Sequence, residues 1–231
     1  MRTDPLILIP GLLCDATVWE DQVSTLKTHT DILIPDLLTA NTPTEMVAAV
    51  LNNAPPTFAL AGHSMGGWVA LEIMRVASTR VTKLCLLNTS ASLDTPEKAA
   101  TRQHFISLAN DGEFETLIEL LLNAFLYQTH CKAKVKNMLL KNHRALINQE
   151  KAMQQRKDCV PMLNTIQCPT LIIHSNQDAV FNLADSTLMQ NHIPNATLIQ
   201  INYCGHMSPM EAPNEVTQYL REWLFAKANA M

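Results

Sequence analysis

The chain reads as an α/β protein with about six mostly parallel strands flanked by helices. Three observations predict this. Short apolar runs alternate with segments of helical period, in the manner of repeated βα units. At 231 residues, with 47% apolar and 16% charged residues, the chain can bury one substantial core. The stretch Gly62-His63-Ser64-Met65-Gly66-Gly67 lies between an apolar run and a helical segment, where a strand must turn sharply into a helix.

Taken in order, Leu6-Ile7-Leu8-Ile9 is the first strand, entered almost at once. A helix is expected over 19–28, a strand over 31–34 and a helix over 43–53. The run Thr57-Phe58-Ala59-Leu60-Ala61 is a strand, followed by a helix over 65–78 and a strand over 82–87. Residues 95–165 show no strand pattern and are too many for a loop. Their apolar residues keep helical spacing, as in Phe114, Leu117, Ile118, Leu121, Leu122 and Phe125. This stretch is expected to be a helical insertion after the fourth strand, with 1–94 and 166–231 forming the core. Strands over 169–174 and 197–201, and helices over 183–192 and 212–228, complete the chain.

Three residues at strand ends point to chemistry. Ser64 sits in Gly-x-Ser-x-Gly, where flanking glycines let strand and helix approach. A nucleophilic serine needs a base, and the base needs an orienting carboxylate. Asp178 follows Pro169-Thr170-Leu171-Ile172-Ile173-His174 in the turn Ser175-Asn176-Gln177-Asp178. His206 follows Ala196-Thr197-Leu198-Ile199-Gln200-Ile201 in the loop Asn202-Tyr203-Cys204-Gly205-His206. Parallel strands all end on one side, so all three are expected at one sheet edge. Asp94 is the runner-up acid. His63 and His174 read as structural.

Four motifs in this order resemble the α/β-hydrolases, over nearly the whole chain. Ile9-Pro10-Gly11-Leu12-Leu13-Cys14-Asp15-Ala16-Thr17-Val18-Trp19 resembles the family's oxyanion loop, and Gly62–Gly67 its nucleophile elbow. Ser175–Asp178 resembles its acid turn, and Gly205-His206-Met207-Ser208-Pro209-Met210-Glu211-Ala212-Pro213 its histidine loop. Pro10-Gly11 stands where many relatives carry His-Gly, His174 stands for a usual Gly, and two N-terminal strands are missing. The resemblance to lid-bearing carboxylesterases implies that 95–165 is a helical lid and that the chain is an ester hydrolase working through an acyl-enzyme. Ser64 would be nucleophile, His206 base and Asp178 its orienting acid, with the N–H groups of Met65 and Leu12 as oxyanion hole. No cofactor or metal is required. Thioesterase, carbon–carbon hydrolase, perhydrolase and a non-catalytic small-molecule receptor stay open. An aspartate-nucleophile dehalogenase or epoxide hydrolase does not.

No apolar run approaches a membrane span, and Met1–Pro5 lacks the apolar stretch of a leader. Six cysteines without Cys-x-x-Cys spacing read as reduced, mostly buried thiols of a cytoplasmic protein. Cys14 and Cys204 border the site but read as packing. Segment 131–157 carries Lys132, Lys134, Lys136, Lys141, Arg144, Lys151, Arg156 and Lys157 against the single acid Glu150, in a chain of net charge −4. A solvated helix face is the ordinary reading; a landing site for an acidic acyl carrier protein is the functional one. Nucleic acid is excluded by the overall charge and the lack of interleaved aromatics. The remaining partner is a small-molecule ester.

Overall fold

The structure is a computed structural model that describes residues 4–226. Residues 1–3, part of the stretch expected to lack a leader, and positions 227 and 228 of the expected last helix lie outside the described residues.

Six strands form one sheet: β1 (Leu6–Ile9), β2 (Ile32–Leu33), β3 (Phe58–His63), β4 (Val81–Leu87), β5 (Thr170–Ser175) and β6 (Ala196–Ile201). Their order is β2-β1-β3-β4-β5-β6, and every neighbouring pair is parallel. The core helices are α1 (Glu20–Leu26), α2 (Pro43–Leu51), α3 (Met65–Ala77), α8 (Leu183–His192), α9 (Ser208–Glu211) and α10 (Pro213–Phe225). Four more helices lie between β4 and β5: α4 (Pro96–Asn110), α5 (Phe114–Phe125), α6 (Lys132–Asn142) and α7 (Leu146–Gln154).

Most element boundaries fall where the pattern placed them, and the exceptions have local causes. The strand expected over 31–34 keeps only two residues, at the sheet edge, because Pro35 has no N–H to continue a ladder. The helix expected from 19 is preceded by a 3₁₀ turn, Ala16–Trp19, whose first N–H groups Asp15 caps through Thr17. The helix expected over 212–228 starts at Pro213, with α9 as a separate turn before it.

The sheet carries the core. All six residues of β3 and all four of β1 are buried, as expected of parallel strands covered on both faces. In α5 the stripe Leu117, Ile118, Leu121, Leu122 and Phe125 is buried. Each such side chain contributes roughly 1.5–3 kcal/mol relative to exposure, so the inserted helices are anchored by packing, not by propensity alone. The chain reverses its winding between β1 and β3. At such a switch point the strand ends diverge and leave a crevice for a ligand. The register sets the floor of that crevice: Ile9 pairs with Gly62, His63 with Leu87, and Leu87 with Ile173. The residues that follow these strands therefore emerge side by side.

Candidate active site

Ser64 is the single residue between β3 and α3, with φ 55° and ψ −119°. Such a backbone costs of order 1–3 kcal/mol for a residue with a Cβ. Its own hydrogen bonds offset this. The Ser64 N–H donates to Leu87 O at 2.9 Å, and the Thr89 hydroxyl donates to Ser64 O at 2.7 Å. The turn is possible only with glycine around it. A Cβ on Gly62 would overlap the Gly66 carbonyl, and one on Gly66 would overlap the carbonyls of Ile9 and Pro10.

The Nε2 of His206 lies 2.8 Å from Ser64 Oγ. Its Nδ1 lies 3.0 Å and 3.1 Å from the two oxygens of Asp178. An ionised carboxylate only accepts, so Nδ1–H donates to Asp178 and Nε2 is left to accept from the serine hydroxyl. Asp178 also accepts from Asn88 Nδ2 at 2.9 Å and from the N–H groups of Val180 and Phe181 at 2.8 and 3.2 Å. Burial alone would raise its pKa. The His206 charge and the hydrogen bonds from His206, Asn88 and Val180 outweigh it and lower the pKa to about 2. The carboxylate is thus ionised throughout the neutral range.

The loop bearing His206 is held from the inserted helices. The N–H groups of His206 and Met207 both donate to Phe125 O, at 2.8 and 3.2 Å. Glu211, buried on α9, accepts from Met207 N–H with Oε1 and from the N–H groups of Tyr127 and Gln128 with Oε2. One carboxylate therefore joins the histidine loop to the residues after α5. The imidazole itself is enclosed by the rings of His63, Phe125 and Phe181.

A cavity of about 250 Å³ opens above Ser64. Apolar side chains from both sides of the crevice line it, including Phe105, Leu121, Phe125, Met153 and Phe181. Leu12 and Met65 border it next to the serine. Among the described residues, the N–H groups of Leu12 and Met65 have no acceptor, and Met65 is the first residue of α3, where the helix dipole favours negative charge.

The structure brings Ser64, Asp178, His206, Leu12 and Met65 together. It keeps Asp94 apart: Asp94 binds Arg102 at 2.7 Å and Arg156 at 2.7 Å. The residue after β4 that reaches the acid is Asn88. His63 is buried and hydrogen-bonds His206 O through Nε2 at 2.8 Å. Burial, then the His206 charge, push its pKa down to about 3, so it is neutral. His174 lies in β5 with Nδ1 3.3 Å from the Ser186 hydroxyl, its pKa lowered by burial. All six cysteines are unpaired, and burial pushes those at 14 and 204 up to about 12, too high for a nucleophile. Among the described residues no three His, Cys, Asp or Glu side chains are grouped to hold a metal ion, and no helix is long and apolar enough to cross a membrane.

The basic segment is not a free charge patch. Lys132 and Lys136 pair with Glu119, Lys134 with Glu20, Lys141 with Asp15, and Arg156 with Asp94. Among the described residues only Arg144, Lys151 and Lys157 of this segment remain exposed and outside ion pairs. Two residues of the site, Asn88 and Glu211, were not singled out by sequence reasoning. Glu211 carried a weak signal, an acid five residues after His206.

The parallel sheet, the strained serine turn and the serine–histidine–aspartate contacts define a hydrolase of the α/β class. The chain belongs to the Alpha/beta hydrolase family, which residues 6–218 match. It is 22% identical to the pimeloyl-[acyl-carrier protein] methyl ester esterase of Nitrosomonas europaea over 230 residues, covering 91% of each chain. A thermophilic esterase from Thermogutta terrifontis, solved with malate bound, superposes with a TM-score of 0.85 at 26% identity, over 95% of this chain and 89% of that one. The enol-lactonase from Burkholderia xenovorans LB400 shares the fold, with a TM-score of 0.83 at 19% identity over 96% and 91% of the two chains.

Proposed function

We propose that this hydrolase cleaves carboxylic esters through an acyl-enzyme on Ser64. The observation that carries the reading is the pair of contacts at His206, one nitrogen 2.8 Å from Ser64 Oγ and the other 3.0 Å from Asp178. Ser64 Oγ attacks the ester carbonyl as Nε2 takes its proton. The carbonyl oxygen, now negative, is met by the N–H groups of Met65 and Leu12. The tetrahedral species collapses, the C–O bond to the alcohol breaks, and His206 returns the proton to the departing alkoxide. Water then attacks the acyl-enzyme with His206 again as base, and the acid leaves. Asp178 holds the tautomer and stabilises the imidazolium throughout.

Helices α4–α7 act as a lid in this reading. Support comes from the cavity, whose wall α4, α5 and α7 share with Ser64, and from its apolar lining, which limits water around the charges that develop. Six unpaired thiols fit a reducing, cytoplasmic setting. The test is a serine-directed fluorophosphonate followed by peptide mass spectrometry. Label on Ser64, together with loss of ester turnover in Ser64→Ala, is the expected result. A folded protein that takes no label is a receptor on this fold and overturns the reading.

A second reading narrows the ester to one linked to an acyl carrier protein. The name of the Nitrosomonas relative supports it, as do the three unpaired cations of the basic segment.

A further inference from the structure

The cavity above Ser64 has one polar wall, built by α4 and α7. Lys98, Thr101, Arg102 and Glu150 line it. Three of these four are already matched. The Thr101 hydroxyl donates to Glu97 O at 3.0 Å. Arg102 lies between two carboxylates, with Nη1 2.7 Å from Glu150 and Nε 2.7 Å from Asp94. Glu150 accepts from Arg102 with Oε2, while its buried Oε1 has no hydrogen-bond partner among the described residues. Asp94 is further neutralised by Arg156. Two carboxylates thus face two guanidinium groups, and their charges cancel.

Lys98 is left over. It lies one helical turn before Arg102, on the same face of α4, and is half-buried. Its ammonium sits 4.4 Å from the centre of the Phe181 ring. It makes no ion pair or side-chain hydrogen bond among the described residues. Phe181 in turn packs its ring 5.8 Å from the His206 ring. The ammonium is therefore held beside the catalytic histidine by one intervening aromatic ring. It carries three donors and an uncancelled positive charge, and it lines the same largely apolar cavity as the serine. A partly desolvated cation of this kind attracts an anion more strongly than a surface lysine does.

We propose that Lys98 makes this cavity selective for esters whose acyl chain ends in a carboxylate, that is, half-esters of dicarboxylic acids. The ester carbonyl lies at Ser64, the methylene chain runs along Phe105, Leu121 and Phe125, and the terminal carboxylate pairs with the Lys98 ammonium. The inference rests on the ester-hydrolase reading for its orientation of the substrate. The charge-pairing itself does not need turnover.

The experiment compares monomethyl adipate with methyl hexanoate, which match in chain length and differ in terminal charge. In Lys98→Met, kcat/KM for monomethyl adipate should fall about tenfold, through KM, while methyl hexanoate changes by less than roughly twofold. Lys98→Arg should restore most of the loss. Calorimetry of monomethyl adipate on Ser64→Ala, with and without Lys98→Met, reads the same pairing without chemistry. If neither ester is hydrolysed but binding of the half-ester still depends on Lys98, the hydrolase reading fails and the selectivity stands. If both esters are hydrolysed and Lys98→Met changes them alike or not at all, the selectivity is overturned alone. Absence of half-ester binding in Ser64→Ala overturns it as well.

Discussion

The side-chain amide of Asn88 donates to Asp178 Oδ2 across 2.9 Å, so the strand before the inserted helices steadies the carboxylate that follows them. Asn88 has φ 46°, a conformation asparagine tolerates better than most residues. Its Oδ1 accepts from the Ser208 hydroxyl at 2.5 Å, which ties in the histidine loop too. Asn88→Asp keeps the size and the backbone tolerance but sets a second carboxylate against Asp178. Like charges this close cannot both ionise easily, so the pKa of the pair rises from the present value of about 2. Ester hydrolysis should fall at least about tenfold at pH 7 and fall further below pH 6 than in the parent. A pH–rate profile unchanged in shape and height would show that Asn88 does not steady the acid.

The two aspartates should fail differently. Asp178→Asn removes the acceptor that fixes the His206 tautomer, and kcat should drop by roughly 10³–10⁴. Asp94→Asn should leave kcat near the parent value. It strands part of the charge on Arg102 and Arg156 and should cost about 2 kcal/mol in urea unfolding. The reverse pattern would move the catalytic acid to Asp94.

Ser64, Asp178 and His206 were legible at one sheet edge because each lies within a few residues of an apolar run, and parallel strands share their carboxyl ends. Their neighbours were not. Asn88 meets Asp178 across 90 positions and Glu211 meets Tyr127 across 84, so no local pattern marks either contact. The basic segment looked uncompensated for the same reason. Its counter-charges Asp15, Glu20 and Asp94 come from distant parts of the chain, and Glu119 from the preceding helix.

His63 predicts a pH dependence of stability. Its pKa is about 3 in the fold against an ordinary 6.5, so the unfolded chain takes up a proton that the folded one refuses. Its contribution is intact above pH 6.5 and is lost as pH falls from there toward 3, by at most about 1.4 kcal/mol per pH unit. Between pH 7 and 5 this amounts to about 2 kcal/mol. His63→Gln, which retains a donor for His206 O, should lose about that much less over the same interval in urea unfolding. Parallel curves for the two proteins would remove His63 as the cause.

Glu211→Gln replaces one acceptor oxygen by an NH₂ group among three N–H donors. Expected outcomes are a loss of about 2 kcal/mol and a roughly tenfold lower kcat, because the loop carrying His206 loosens. If stability falls while kcat holds, Glu211 supports the fold and not the position of the base.

Charge reversal at Arg144, Lys151 and Lys157 tests a carrier-protein partner on the cations that have no internal counter-charge. Carrier-linked esters should lose about tenfold in kcat/KM at low salt, an effect that shrinks as salt rises, while small free esters are hydrolysed as before. Equal kinetics on carrier-linked esters would return these residues to a solvated surface.

The carbonyl of Phe125, which receives the N–H groups of both His206 and Met207, bears on how such enzymes can be recombined. The last carbonyl of α5 is part of the mould in which the histidine is cast. A chimaera that exchanges the whole of 95–165 imports a foreign mould and sets the imidazole by the donor's geometry. A splice that leaves 122–128 native and exchanges only what lies beyond can change the cavity wall at α7, where Glu150 and Met153 line it, without disturbing that imidazole. Recruiting new substrates on this scaffold therefore has a seam, and it runs just after α5.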